Sequence, residues 1–126
     1  MNIQESGEMY LETILVLKKS GINVRSIDIA DKLGYSKPSV SRAVRILREN
    51  GYISVDPGGI ITLLPEGEAI AERTYERHRI LTELFIRLGV DEATAAEDAC
   101  RIEHVISEAT FAAIKGHLSE HPLTKE

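Results

Sequence analysis

The sequence predicts a mainly α fold that begins with a winged helix-turn-helix and continues as a set of longer helices. Three observations lead to this prediction. The N-terminal half has the order helix, short helix, turn, basic helix and β-hairpin, which is the order of that motif. The remaining segments repeat their apolar residues with the period of an amphipathic helix. A basic stretch in the N-terminal half is followed by an acidic C-terminal half.

Two segments at the N-terminal end have the pattern of helices. Residues 5–20 carry an apolar stripe on one face and end in a pair of lysines and a serine, which Gly21 follows. Residues 26–34 form a shorter segment, for which Ser26 is the expected N-cap and Gly34 the expected end. Together these segments predict the first two helices of the motif.

The third helix is predicted over residues 36–51 and is the basic one. Ser36 is its expected cap, and Pro38 suits its first turn. Apolar side chains recur at helical spacing from Val40 onward and should take the buried side. The solvent face should then present Lys37, Ser39, Ser41, Arg42 and Arg45.

Two short β-branched runs and three helices complete the chain. Residues 52–55 and 60–63 flank an Asp-Pro-Gly-Gly turn and predict a hairpin, the wing. Residues 65–88 predict a long amphipathic helix. Asp91 is the expected cap of a helix that includes the segment CRIEH, and Ser107 is the expected cap of the last helix.

Charge is divided unevenly along the chain. Residues 25–48 have a local charge of +4, whereas residues 83–126 have a local charge of −5. The basic stretch suggests that one end of the protein meets a polyanion. No apolar run approaches the ~18 residues of a membrane span, so no membrane partner is expected. The single cysteine forms no internal disulfide, and a reducing cytoplasm is the expected location.

The basic third helix is the expected DNA-reading element. No acidic side chain lies between Lys37 and Arg48, which matters because phosphate contacts supply much of the affinity for DNA. Serine and lysine near the cap suit phosphate, and arginine suits a guanine edge. A basic helix alone is often merely solvated, but the short helix before it and the hairpin after it favour DNA binding. The predicted DNA-contacting residues are Arg25, Ser36, Lys37, Pro38, Ser39, Ser41, Arg42 and Arg45.

The segment CRIEH is a candidate metal site. On a helix, Cys100, Glu103 and His104 share one face at i, i+3 and i+4. A thiolate, a carboxylate and an imidazole can bind a first-row metal, and a further ligand would have to come from elsewhere. The candidates for that ligand are Met9, Glu12 and His78. Core packing and solvation explain such residues equally well, so spacing alone leaves both interpretations open.

Two further histidines, His117 and His121, have the i, i+4 spacing seen in zinc sites. They fall in the last predicted turn before Pro122, where histidine suits the negative end of a helix without a metal. We therefore assign them no role as ligands.

The chain from Glu8 to about Leu118 resembles the diphtheria-toxin-repressor and manganese-transport-regulator family of metal-dependent transcriptional repressors. The matching stretches are EMYLETI (8–14), IADKLGYSKPSVSRAVRILRENGYI (29–53), ITLLPEG (61–67), RHRILTELF (77–85) and DACRIEHVIS (98–107). The resemblance implies a homodimer that binds double-stranded operator DNA. It also implies a winged helix-turn-helix DNA-binding domain over residues 1–72 and a helical metal-binding and dimerisation domain over residues 73–126.

The same resemblance implies a set of metal ligands. The iron-responsive branch uses a methionine, a cysteine, a glutamate and a histidine, which match Met9, Cys100, Glu103 and His104. Glu12 matches a glutamate of the manganese-responsive branch, and His78 matches a histidine of both branches. Ala96 stands where the iron branch has a further histidine, and the chain ends before an SH3-like third domain. The short, two-domain form of the family is therefore expected.

Ligand softness favours iron. The thioether of Met9 and the thiolate of Cys100 favour softer ions than Mn²⁺, which prefers oxygen. We therefore predict Fe²⁺ as the cofactor, with Co²⁺, Ni²⁺ or Zn²⁺ as substitutes in vitro. Mn²⁺ is the alternative, because Glu12 and the short form point toward the manganese branch.

These inferences predict a repressor of metal-homeostasis genes in which metal binding orders the dimer for its operator. One alternative is a winged-helix regulator that responds to a small molecule or to thiol redox at Cys100, although the subunit has no second cysteine to resolve an oxidised thiol. Another is a small metallohydrolase that holds Zn²⁺. The chain has no Ser-His or Gly-rich phosphate motif, so no catalytic residue and no enzymatic activity are predicted.

Overall fold

The computed structural model describes residues 5–120, so His121 lies outside the described residues. In this range the chain is mainly helical, and its strands form a two-stranded sheet. The elements are α1 (Glu5–Lys19), α2 (Ser26–Leu33), α3 (Lys37–Glu49), β1 (Ile53–Val55), β2 (Ile61–Leu63), α4 (Pro65–Arg87), α5 (Glu92–Ile102) and α6 (Glu108–Glu120). Among the described helices, none combines the length and apolar character needed to cross a membrane.

The chain divides into two compact units, and the division falls inside α4, between Thr74 and Tyr75. In the first unit, α1 packs against α2 and α3, and the hairpin contacts α1 and α3. This arrangement confirms the predicted winged helix-turn-helix. Its largest fully buried apolar side chains are Leu11, Ile14, Ile29, Val40 and Ile53.

The helix starts follow local hydrogen bonds. Ser36 caps α3 as predicted, because its hydroxyl oxygen accepts the Ser39 N–H at 3.3 Å. The prediction of Ser26 as the cap of α2 is wrong, since Arg25 occupies the N-cap. The Asp28 carboxylate accepts the Arg25 main-chain N–H at 2.8 Å, and this bond makes Ser26 the first helical residue.

The predicted hairpin is confirmed. β1 and β2 pair antiparallel, with Ile53 opposite Leu63 and Val55 opposite Ile61. The Ile61 N–H also donates to the Val24 carbonyl at 2.8 Å, so one main-chain bond joins β2 to the segment before α2.

The second unit contains the rest of α4 together with α5 and α6. Asp91 caps α5 as predicted, and the hydrogen bonds from Thr94 hold the pKa of its carboxyl below the usual value. Ser107 precedes α6 and accepts the Thr110 N–H at 3.1 Å, as expected of its cap. The buried apolar side chains of this unit are Leu81, Ala95, Ala99, Phe111 and Leu118.

We predict that Gly67→Ala lowers the stability of the protein. Gly67 is buried in the first turn of α4, and an added Cβ would overlap the main-chain carbonyl oxygen of Tyr52. Overpacking of this kind lowers the free energy of unfolding by about 1–3 kcal/mol. Urea denaturation followed by circular dichroism measures the effect.

Gly116→Ala is the matched control, because nothing lies within 4 Å of the Cβ that it would add to α6. In an open helical position alanine raises the free energy of unfolding by about 0.5–1 kcal/mol. Equal changes in the two variants would contradict the contact between α4 and Tyr52.

Candidate metal centre and nucleic-acid interface

Among residues 75–120 of the second unit, Glu103 is the one carboxylate that is buried. The side chain has no exposed surface, and the residue directly follows α5. Its main-chain N–H donates to the Ala99 carbonyl at 2.9 Å, but the helix ends at Ile102. The prediction that the helix includes all of CRIEH is therefore wrong for its last two residues, which lie on the turn between α5 and α6.

Two imidazoles approach this carboxylate. His78 Nδ1, from α4, lies 2.9 Å from Glu103 Oε2, and His104 Nε2 lies 3.3 Å from Glu103 Oε1. The His104 side chain is itself only 3% exposed. Within the second unit, the structure thus brings together three of the four predicted ligands that this unit carries. An oxygen and two nitrogens in this arrangement fit a divalent first-row cation.

Cys100 differs from Glu103 in its environment. It lies on α5, whose buried positions are Ala95 and Ala99, and it is exposed. The spacing of i, i+3 therefore does not give the thiol and the carboxylate the same burial. The role of Cys100 as a ligand stays a prediction.

The other two predicted ligands, Met9 and Glu12, lie on α1 in the first unit and are partly buried. The Tyr35 hydroxyl donates to the Met9 sulfur at 3.8 Å, and the Tyr35 ring packs edge-on against Tyr10 at 6.2 Å between centroids. Burial, with a smaller effect from Tyr35, raises the pKa of Tyr10 above its ordinary value. Because Tyr35 directly precedes Ser36, a single side chain connects Met9 with the start of α3.

The solvent face of α3 is the one that the sequence predicts. Lys37, Ser39, Ser41, Arg42 and Arg45 are exposed. Val40, Val44 and Leu47 are buried, and Ala43 is half-buried. A shallow groove beside the helix is lined by Ser26, Ile27, Lys37 and Ser41. The sequence analysis missed Ile27, because its exposure depends on how α2 packs against α3.

Arg25 contributes to the wing as well as to the cap of α2. Its Nε donates to the Gly58 carbonyl in the hairpin turn at 3.0 Å, and the residue remains exposed. The Asp56 carboxylate, the acidic group of that turn, accepts the Ile60 N–H at 2.9 Å. Arg25, a predicted DNA-contacting residue, is therefore held at the hairpin turn. The same turn contains the hydrogen-bonded carboxylate of Asp56.

His117 and Arg77 lie outside the clusters described above. His117 is exposed near the end of α6. Arg77, which the sequence analysis did not single out, is buried beside the turn that carries Glu103 and His104. Its position directly before His78 was the available signal, but α4 contains several arginines and spacing does not distinguish them.

Comparison with known proteins assigns both parts of the chain. Residues 2–59 match the N-terminal DNA-binding domain of iron-dependent repressors, and residues 64–124 match their metal-binding and dimerisation domain. The transcriptional regulator MntR of Salmonella typhimurium is 33% identical over 93% of this chain and 74% of that protein. The chain belongs to the iron-dependent repressor family.

Some relatives are about twice as long as this chain. The diphtheria toxin repressor of Corynebacterium efficiens is 34% identical over 85% of the chain and 47% of that protein. The structure of a manganese-dependent transcriptional repressor in complex with manganese superposes with a TM-score of 0.82 at 28% identity, over 90% of this chain and 52% of that one. The repressor thus spans about half the length of these relatives.

Family membership gives the general activity. The repressor is a metal-dependent, DNA-binding transcriptional regulator with a dimerisation domain, and its family consists of regulators rather than enzymes. The metallohydrolase alternative is therefore wrong. The helical second part is the metal-binding and dimerisation domain that the resemblance implied.

We expect Glu103→Gln to abolish tight metal binding by the repressor, because the amide keeps the shape of the side chain but removes its charge. The loss should exceed the about 10- to 100-fold that removal of an outer-sphere partner typically costs. Isothermal titration calorimetry with Mn²⁺ measures it. Glu97→Gln, an exposed position on α5, is the matched control and should bind as the wild type does. Equal affinities of the two variants would exclude Glu103 as a ligand.

Proposed function

We propose that the protein is a repressor of metal-homeostasis genes that uses Fe²⁺ as its activating metal. The observation that carries the proposal is the buried carboxylate of Glu103, which two imidazoles approach in a chain of this repressor family. A buried carboxylate flanked by two imidazoles offers oxygen and nitrogen donors to a divalent cation.

The proposed ligand set takes two residues from α1 and four from the second unit. The members are Met9, Glu12, His78, Cys100, Glu103 and His104. Partial burial of both α1 residues supports their inclusion, since buried donors lose less on desolvation when a ligand binds. The Cys100 thiol and the His104 imidazole must lose their protons to coordinate, so metal affinity should rise with pH.

Iron is favoured by the sulfur donors. A thioether and a thiolate suit Fe²⁺ better than Mn²⁺, and a bound divalent ion supplies the positive charge that its carboxylate and thiolate ligands share. The manganese alternative is supported by Glu12 and by the names of the relatives, which include MntR and a manganese-dependent repressor. Co²⁺, Ni²⁺ and Zn²⁺ are expected substitutes in vitro.

The DNA-reading part of the proposal rests on α3. Ser36, Lys37, Ser39 and Ser41 would contact phosphates, and Arg42 and Arg45 would reach base edges or phosphates. Arg25 and Pro38 would contact DNA at the edges of this surface. The absence of acidic side chains between Lys37 and Arg48 supports the proposal, because phosphate affinity depends on local positive charge.

We attribute regulation to the thermodynamic linkage between metal binding and DNA binding. α1 carries Met9 and Glu12 and packs against α2 and α3. When these residues share a ligand with Glu103, the homodimer favours the arrangement in which its two α3 helices fit half-sites about one helical turn apart. Operator DNA must then raise the affinity for metal by the same factor by which metal raises the affinity for DNA.

Metal should strengthen operator binding by about 5- to 150-fold, the usual range of such couplings. Fluorescence anisotropy checks this with a labelled duplex selected from a random pool in the presence of Mn²⁺. Titrations are run anaerobically with Fe²⁺, with Mn²⁺, and with Mg²⁺ as the control ion. Equal affinity with and without Fe²⁺ or Mn²⁺ would contradict the proposed regulation.

Cys100→Asp should shift the preference from Fe²⁺ toward Mn²⁺, because a carboxylate replaces a soft thiolate. Competition titrations with the two ions measure the ranking. Cys100→Ser is the control, since it removes the thiolate without supplying a carboxylate and should weaken Fe²⁺ binding without strengthening Mn²⁺ binding. An unchanged ranking in Cys100→Asp means that the thiol is not a ligand.

A further inference from the structure

Arg77 is a buried arginine on α4, one residue before His78. Only 8% of the residue is exposed. Arginine keeps its charge in proteins, so its burial is costly unless its donors find acceptors. In Arg77 both Nη atoms have acceptors, whereas the buried Nε has none. The groups that accept its hydrogen bonds therefore indicate what the buried guanidinium stabilises.

One nitrogen of the guanidinium holds the turn after α5. Arg77 Nη1 donates to the main-chain carbonyl of Glu103 at 3.2 Å and to that of Ile106 at 2.8 Å. Carbonyls beyond a helix end have no partner within the helix and carry partial negative charge. Arg77 supplies both the donor and the positive charge, so it fixes the path of the main chain between α5 and α6.

The other nitrogen holds the start of α6. Arg77 Nη2 donates to the Glu108 carboxylate at 2.7 Å, and the guanidinium carbon lies 5.3 Å from the centroid of the Phe111 ring. The Glu108 side chain is 81% exposed, so this ion pair alone contributes little. The main effect of Arg77 therefore comes from its main-chain contacts and its stacking on a buried ring.

Two consecutive residues of α4 hold the same residue of the turn. Arg77 binds the main chain of Glu103, and His78 approaches its carboxylate at 2.9 Å. α5 ends at Ile102, and the last helical bond of this end runs from the Glu103 N–H to the Ala99 carbonyl. The contacts from α4 hold Glu103 from its carbonyl and carboxylate sides as well.

We propose that Arg77 is a positioning residue for the metal centre, which fixes the turn from which Glu103 and His104 present their donor atoms. The inference rests on the proposed function, in which these two residues bind the metal. Arg77 acts through the main chain and not as a ligand. Without it, metal binding would have to order the turn, and the affinity would fall.

The test compares two variants that each remove a cation joining α4 to α6. Arg77→Met keeps an unbranched apolar stem and removes the guanidinium with its donors. Lys115→Met is the matched control, because it removes the 2.6 Å ion pair between Lys115 and Glu76 and leaves the turn unchanged. Calorimetry with Mn²⁺ gives the affinity of the full chain, the visible spectrum at saturating Co²⁺ reports the geometry around the ion, and urea denaturation of the metal-free proteins reports stability.

Arg77→Met should bind Mn²⁺ about 10- to 100-fold more weakly than the wild type, as is usual for loss of a residue that orients ligands. Its Co²⁺ spectrum at saturation should differ from that of the wild type. Lys115→Met should keep the wild-type affinity within about twofold, as expected for an exposed ion pair. A folded Arg77→Met that binds as tightly as the control, with an unchanged Co²⁺ spectrum, would overturn the proposal.

Arg77→Lys tests the positioning role of Arg77 if Arg77→Met does not fold. Lysine keeps the charge but lacks the planar fork that donates to two carbonyls and a carboxylate at once. It should bind metal more weakly, with an altered Co²⁺ spectrum, and wild-type behaviour would overturn the proposal. Failure of the wild type to bind Mn²⁺ or Co²⁺ would instead overturn the proposed metal function and this inference together.

Discussion

The packing of the second unit depends on the contacts that the buried carboxylate of Glu103 makes. A carboxylate removed from water requires charged or hydrogen-bonding partners, and His78 and His104 approach its two oxygens. Removing one of these side chains leaves the buried polar groups of the others without compensation. Each of them therefore contributes to the stability of the unit. The same packing keeps three donor atoms close together before a ligand binds, which lowers the ordering cost of binding.

The proposed DNA-reading helix differs from the cluster around Glu103 in where its charges lie. α3 buries an apolar stripe and leaves its basic residues in water, where their attraction to phosphate needs no compensating partner. Its first turn is fixed by Ser36 and Pro38, so Lys37 and Ser39 are held at a defined position. Substitutions on this surface should change affinity for DNA with little effect on stability. Substitutions around Glu103 should change both stability and affinity for metal.

Local rules predicted most of the fold because caps, turns and apolar stripes depend on residues a few positions apart. Ser36 was predictable in this way, whereas the choice of Ser26 failed because Asp28 accepts a hydrogen bond from the preceding residue. The segment CRIEH and the family resemblance predicted the candidate ligands. They did not predict that Glu103 is buried or that the neighbouring Cys100 thiol is exposed. These features depend on α4, whose Arg77 lies 26 residues from Glu103 along the chain. No periodic pattern encodes such a contact.

The close approach of Gly67 to Tyr52 has a mechanical consequence. The Tyr52 carbonyl, at the entry to β1, also accepts the Leu64 N–H at 3.0 Å. Main chain therefore lies directly on main chain between the hairpin and the first turn of α4. Side chains in an interface can change rotamer and absorb a small displacement, but contacting main chains transmit it. The hairpin and the first turn of α4 therefore have little room to shift against each other.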